Sequence, residues 1–180
     1  MTVTDSFGAK LTQRIDVTIG DSQAERAVGS ALADVIKGGY GNDVLSGVGG
    51  NDLLSAGIGN DRLIGGLGKD TMTGSTGRDV FVFDDRDTGT SKSRADYITD
   101  FSGRQGDRLD LKLVDANSSK RGDQNFSFIG KNAFSKAGEV RYEKTKTDTY
   151  VYLNTDNDKT AEAVIRLKGS FDLQKSWFVL

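Results

Sequence analysis

Gly38-Gly-Tyr-Gly-Asn-Asp-Val-Leu-Ser46 runs directly into Gly47-Val-Gly-Gly-Asn-Asp-Leu-Leu-Ser55, and this pair of nonapeptides decides the fold. Working outward, the nine-residue period holds from GSALADVIK at Gly29 through AGIGNDRLI at Ala56 and GGLGKDTMT at Gly65 to GSTGRDVFV, which closes at Val82. The sixth position is always aspartate: Asp34, Asp43, Asp52, Asp61, Asp70 and Asp79. The eighth is always large and apolar: Ile36, Leu45, Leu54, Leu63, Met72 and Phe81. Self-similarity at a short fixed period is the signature of a solenoid, because one unit cannot bury its own apolar side chain and must stack on its neighbours. Glycine at the fourth position (Gly41, Gly50, Gly59, Gly68, Gly77) admits the positive φ of a tight turn. Asn42, Asn51 and Asn60 at the fifth suit the same turn. Positions seven to nine then form a short strand whose eighth residue points inward, since strand neighbours face opposite sides.

The aspartates need a reason of their own. Residues 29–82 hold six Asp, no Glu, and only Lys37, Arg62, Lys69 and Arg78 as cations, so stacking brings like charges together repeatedly. Carboxylates with inward-facing carbonyls are hard oxygen ligands of the kind that suit calcium. A cation between turns removes the repulsion, so calcium is expected to be a structural part of the fold.

Composition excludes much else. The 180 residues include no His, Cys or Pro, and the formal net charge is −2. Without His or Cys there is no Ser-His-Asp triad, no thiolate nucleophile and no Cys/His zinc site. Only a carboxylate-based glycosidase or lyase survives as an enzyme class, and the chain is read as non-catalytic. Charges are interspersed, with no basic footprint for nucleic acid. No apolar run approaches the ~20 residues of a membrane span, and no N-terminal secretory leader is visible.

The tandem units resemble the RTX consensus G-G-x-G-x-D-x-U-x. That resemblance implies an all-β parallel β-roll with two nonapeptides per coil and calcium between turns eighteen residues apart. The implied pairs are Asp34 with Asp52, Asp43 with Asp61, Asp52 with Asp70, and Asp61 with Asp79. On this pairing Asp61→Ala touches two pairs and Asp79→Ala only one. The first unit departs from the pattern, with Leu32 and Ala33 in place of the turn glycine and asparagine, so its pair is the weakest match. Backbone carbonyls would complete each shell, contributed by Gly38, Gly39, Gly41, Gly47 and Gly50 and, on later turns, by Gly57, Gly59, Gly65, Gly66, Gly68 and Gly77.

Beyond the repeats, Gly77-Arg-Asp-Val-Phe-Val-Phe83, Ala95-Asp-Tyr-Ile-Thr-Asp-Phe101 and Gly106-Asp-Arg-Leu-Asp-Leu111 are similar to the C-terminal region of serralysin-type secreted proteases. Phe126-Ser-Phe-Ile-Gly130 and Ala137-Gly-Glu-Val-Arg-Tyr142 extend the likeness, which recurs in many type I secreted proteins and does not imply proteolysis. Asp96, Asp100 and Asp107 are candidates for a further calcium where the roll ends, or for turn caps. The resulting division is 1–28 as N-terminal strand and connector, 29–83 as the roll, and 84–180 as a β-rich capping and secretion-signal region. Ile15, Val17 and Ile19 alternate with polar residues as in a strand, similar to the last strand of a cadherin-like or Ig-like repeat, or a cap on the open end of the roll. Short strands are predicted at 109–113, 126–129, 139–143, 148–153 and 162–167. Tyr150, Tyr152 and Leu153 are expected to face Val164, Ile165 and Leu167. Asn154 to Thr160, with Glu162, reads as a polar hairpin turn with a faint calcium-loop pattern. Phe171 to Leu180 reads as a final strand or as the family's uncleaved signal near the C-terminus.

The expected function is the calcium-binding C-terminal module of a larger secreted bacterial protein, exported unfolded through type I secretion machinery and folded on extracellular calcium. The alternative is a polysaccharide- or surface-binding module, for which Tyr40, Arg62, Lys69 and Arg78 are a candidate stripe.

Overall fold

The structure is a computed structural model that describes residues 2–4, 10–12, 16–18, 23–122 and 124–180. Arg14, Ile15 and Ile19 of the alternating stretch lie outside the described residues.

Odd and even nonapeptides separate onto two sheets, as a two-unit coil requires. The strands Val35–Tyr40, Leu53–Ile58 and Thr71–Thr76 stack in parallel on one face. Val44–Ser46, Arg62–Ile64 and Val80–Asp84 stack in parallel on the other. Each eighth-position residue lies on its equivalent one coil away, giving an inner row Ile36, Leu54, Met72 and an opposing row Leu45, Leu63, Phe81, all fully buried. One apolar side chain per nonapeptide suffices because every one is sandwiched between two coils and faced by the other sheet.

The roll reaches beyond the consensus repeats in both directions. Asp16–Thr18 pairs in parallel with the strand at Val35, and Arg26–Val28 pairs in parallel with Val44–Ser46. Residues 20–28, read as a connector, thus contain a strand that adds Ala27 to the inner row. Downstream, Ile98 registers on Met72 and Leu109 on Phe81, although the coil has lengthened. Leu167 then registers on Ile98 and Phe178 on Leu109, so the chain returns after a long excursion to lay one more coil on the stack.

The five predicted downstream strands are present as Arg108–Leu113, Ser127–Gly130, Glu139–Lys144, Asp148–Asn154 and Ala163–Lys168. They are not a separate layer: among the described residues four of them extend the first sheet to nine strands, and Arg108–Leu113 belongs to the second, which has six. Period-2 alternation assigns their faces, and it turns Val151 and Leu153 inward while Tyr150 and Tyr152 face outward; Arg166 lies opposite Tyr150. Tyr152 lies opposite Val164 as expected, while Ile165 and Leu167 have Val151 and Thr149 as their neighbours. Lys175–Trp177 forms a single 3-10 turn and Phe178–Val179 the closing strand. Trp177 packs against Phe101 at 6.1 Å between ring centres, and Phe178 against Phe128 at 5.1 Å. Among the described residues no helix is long and apolar enough to cross a membrane.

Candidate metal centre

The two edges of the roll, where each strand bends into the next, carry the aspartates. Alternation of units between sheets splits them into two ladders. On one edge the backbone N–H of Asp34 donates to Asp52 Oδ1, that of Asp52 to Asp70 Oδ1, and that of Asp70 to Asp96 Oδ1, each at 2.8 Å. On the other edge the N–H of Asp43 donates to Asp61 Oδ1 at 2.7 Å, that of Asp61 to Asp79 Oδ1 at 3.0 Å, and that of Asp79 to Asp107 Oδ1 at 3.0 Å. All eight aspartates are buried.

These bonds use one oxygen of each carboxylate. The second oxygen, Oδ2, of Asp43, Asp52, Asp61, Asp70 and Asp96 is buried with no hydrogen-bond partner. Burying an anionic oxygen without a partner is costly, so five repetitions in register call for a ligand. The first-position glycines make room for it. A Cβ on Gly38 would overlap Asp43 Oδ2 and the Ala56 carbonyl, and one on Gly47 would overlap Asp52 Oδ2 and the Gly65 carbonyl. A carboxylate oxygen and a carbonyl from the next coil thus converge where a side chain would otherwise be. This donor set is all oxygen, which suits a hard divalent cation.

The electrostatics agree. Burial raises the carboxyl pKa of Asp52 to about 6, of Asp70 and Asp79 to about 7, and of Asp96 to about 9. Like-charged ladder neighbours push in the same direction, and the backbone N–H donors only partly offset them. Asp61, Asp87 and Asp107 are raised for the same leading reason.

Each sequence candidate has a definite place. Asp34 joins its ladder despite the irregular first unit, and its Oδ2 accepts from the backbone and hydroxyl of Ser30. Asp96 and Asp107 continue the two ladders on opposite edges, so they do not form one site with each other. Asp100 accepts from the N–H groups of Gly74 and Ser75 and lies near Asp79 and Asp107. Among the glycines, the carbonyls of Gly47 and Gly65 lie beside the carboxylate oxygens, while those of Gly41, Gly50 and Gly59 abut the glycine one coil on. Glu25 escaped the sequence reading. Its N–H donates to Asp43 Oδ1 at 3.0 Å, which is the ladder bond one coil earlier. Phase was the available signal, since 25 is 43 less 18, but glutamate for aspartate and Gln23 for glycine hid the unit GDSQAERAV. Asp156, Asp158 and Glu162 gather within 4.8 Å, each accepting from an N–H of its own loop, as a polar turn does.

Of the candidate surface stripe, Tyr40 is exposed. Arg62 pairs with Asp110 at 3.2 Å, the Arg78 stem covers Gly106, and Lys69 lies on the edge opposite Arg78.

Residues 27–180 match the family model described as peptidase M10 serralysin C terminal. The chain belongs to that family. Its nonapeptides are RTX-type calcium-binding repeats and its architecture is the RTX β-roll. This serralysin C-terminal domain is also similar to two solution structures of subunits of the Azotobacter vinelandii mannuronan C5-epimerase. AlgE6R2 is 26% identical over 93% of this chain and 92% of that one, with a TM-score of 0.44. AlgE6R3 is 27% identical over 89% and 80%, with a TM-score of 0.38. Comparison with curated proteins finds no significant match.

Proposed function

We propose that this domain is a calcium-triggered folding module of a secreted protein, exported unfolded by type I machinery and folded outside the cell. The five buried, unpartnered Oδ2 atoms carry the reading. Asp34, Asp52, Asp70 and Asp96 on one edge, and Asp43, Asp61, Asp79 and Asp107 on the other, would hold calcium together with turn carbonyls such as those of Gly47, Ala56 and Gly65. Bound calcium supplies positive charge where the coils otherwise bring carboxylates together.

The energetics make folding and binding one event. Extracellular modules of this kind bind calcium at ~10⁻⁴–10⁻³ M. At ten times Kd a site contributes about 1.4 kcal/mol, so the four pairs within the consensus repeats alone contribute roughly 6, which is comparable to the whole stability of a small domain. Cytosolic calcium lies far below that range, and the chain there keeps its carboxylates hydrated and its coils open. Phe178–Val179 is a strand of the folded roll, so export machinery reading that segment has to engage it before folding. The domain then acts as a scaffold for its parent protein, with no chemistry of its own.

A calcium titration followed by far-UV circular dichroism, with magnesium as control, tests this. A cooperative, calcium-specific gain of β-structure at about 0.1–1 mM is expected. A chain already folded in chelator removes the basis of gradient-driven folding.

A further inference from the structure

On the edge that carries Asp43, Asp61 and Asp79, the regular stack ends at the turn of Gly74 and Ser75. The strand Thr71–Thr76 pairs with the coil before it as far as Ser75 and Thr76, opposite Gly57 and Ile58. On its other side the pairing covers only Thr71 and Met72, opposite Tyr97 and Ile98. Side chains carry the register one step on, with the Thr73 and Thr99 hydroxyls 2.7 Å apart. The next step sets Asp100 opposite Gly74, at the first-position place that Gly38, Ala56 and Gly74 fill in the repeats. There a carboxylate takes over from backbone. The Gly74 N–H donates to Asp100 Oδ1 at 3.0 Å and the Ser75 N–H to Oδ2 at 2.7 Å. Without Asp100 both donors would face the open edge of the stack. Ser75 also sits at φ 72, where the equivalent residues of the earlier coils are Gly39 and Gly57, so the turn holds a conformation that side chains rarely adopt.

This turn is a wall of the last ladder site on its edge. A Cβ on Gly74 would overlap Asp79 Oδ2, as one on Gly38 would overlap Asp43 Oδ2. Asp107, the other ladder carboxylate there, follows Asp100 on one short loop. Its Oδ1 accepts from the Asp79 N–H at 3.0 Å and its Oδ2 from the Ser102 N–H at 2.8 Å. We propose, resting on calcium occupancy of the ladders, that Asp100 is a positioning residue for the last ion on this edge: it fixes the Gly74–Ser75 turn against the site of Asp79 and Asp107. Each of its oxygens already accepts an N–H, so it acts through the turn and not as an added ligand. Bonds from backbone N–H to a carboxylate are of the strong, charge-assisted kind. Turns inside the stack need no such residue, because the next coil holds them. Asp100 therefore serves the ion at the end of the ladder and not those within it.

The test is a calcium titration of the full ¹⁵N-labelled chain followed by NMR, comparing wild type with Asp100→Ala, Asp100→Asn and, as a charge control, Asp158→Asn. In wild type the amide signals of Ser75, Asp79 and Asp107 should reach their calcium-bound positions together with those of Asp43 and Asp52. In Asp100→Ala the first group should lag, needing about tenfold more calcium than the second. Asp100→Asn keeps an acceptor for one N–H, so its lag should be smaller, and it carries the test if the alanine variant does not fold. Asp158→Asn should behave as wild type. A variant whose signals all move to higher calcium together makes Asp100 a general stabiliser and overturns the proposal, as does a variant with no lag. A wild-type chain indifferent to calcium overturns the calcium reading and this role with it. Normal wild-type folding beside an unaffected variant overturns this role alone.

Discussion

Asp61 has a ladder neighbour on each side: it accepts from the N–H of Asp43, and its own N–H donates to Asp79. Sequence pairing gives Asp79 one neighbour fewer, because the consensus stops there. The structure supplies the missing one as Asp107, 28 residues on. Asp61→Ala and Asp79→Ala should therefore raise the calcium midpoint of folding by similar factors, roughly tenfold each, or about 1.4 kcal/mol. Asp158→Ala, on an exposed loop, serves as the control and should leave it unchanged. Circular dichroism titrations of the three variants decide the matter, and an Asp79→Ala shift clearly smaller than that of Asp61→Ala removes Asp107 from the ladder. Asp79 and Asp107 show why the extra partner was hard to read. The consensus makes eighteen residues the rule, and the lengthened coil breaks it while keeping the bond.

The turn is the element on which stacking depends. Gly77 has φ +141, and an added Cβ there would overlap the carbonyl oxygen of Gly59 one coil back. The coils approach through bare backbone, so no side-chain rearrangement relieves the clash. Gly77→Ala is expected to abolish the cooperative calcium transition. Gly122→Ala, also at positive φ but with open space around it, should cost no more than about 1 kcal/mol. Thermal melts at saturating calcium compare the two, and a Gly77 variant melting within a few degrees of wild type contradicts backbone-to-backbone packing at the turn. The strands between turns were legible from period 2 and period 9. What escaped was the facing of Tyr150 and Tyr152, because a strand with apolar residues on both sides does not declare its inner face until a neighbouring strand chooses it.

For the whole molecule, the buried carboxylates link stability to pH. Asp52, Asp70, Asp79 and Asp96 have folded-state pKa values of about 6, 7, 7 and 9, all above the ordinary aspartate value of 3.8. Protons bind the metal-free fold more tightly than the unfolded chain. Their stabilising effect is full below about pH 4 and is lost as pH rises through 6 to 9. The calcium-free chain should thus melt higher at pH 5 than at pH 8. Calcium competes with those protons, so its midpoint of folding should fall over the same interval. Melts and titrations at the two pH values check both signs, and a metal-free chain that gains stability toward pH 8 contradicts the buried-ladder picture.

The nonapeptide phase by itself determined a stacked solenoid, the inward residues from Ile36 to Phe81, and six of the eight ladder aspartates, because each depends only on a local period and on strands alternating their faces; the parallel two-unit coil came from the likeness to RTX repeats. It also carried the kind of ligand, since carboxylates and carbonyls are oxygen donors whatever their arrangement. Tertiary structure alone decided where the stack begins and ends. Glu25, Asp96 and Asp107 take ladder positions because hydrogen bonds between coils select spatial register over sequence spacing. Leu167 and Phe178 complete the inner rows after an excursion no period encodes. Asp100 likewise meets Gly74 only because the lengthened coil returns to the register of the stack, a contact between segments that have no periodic relation to each other.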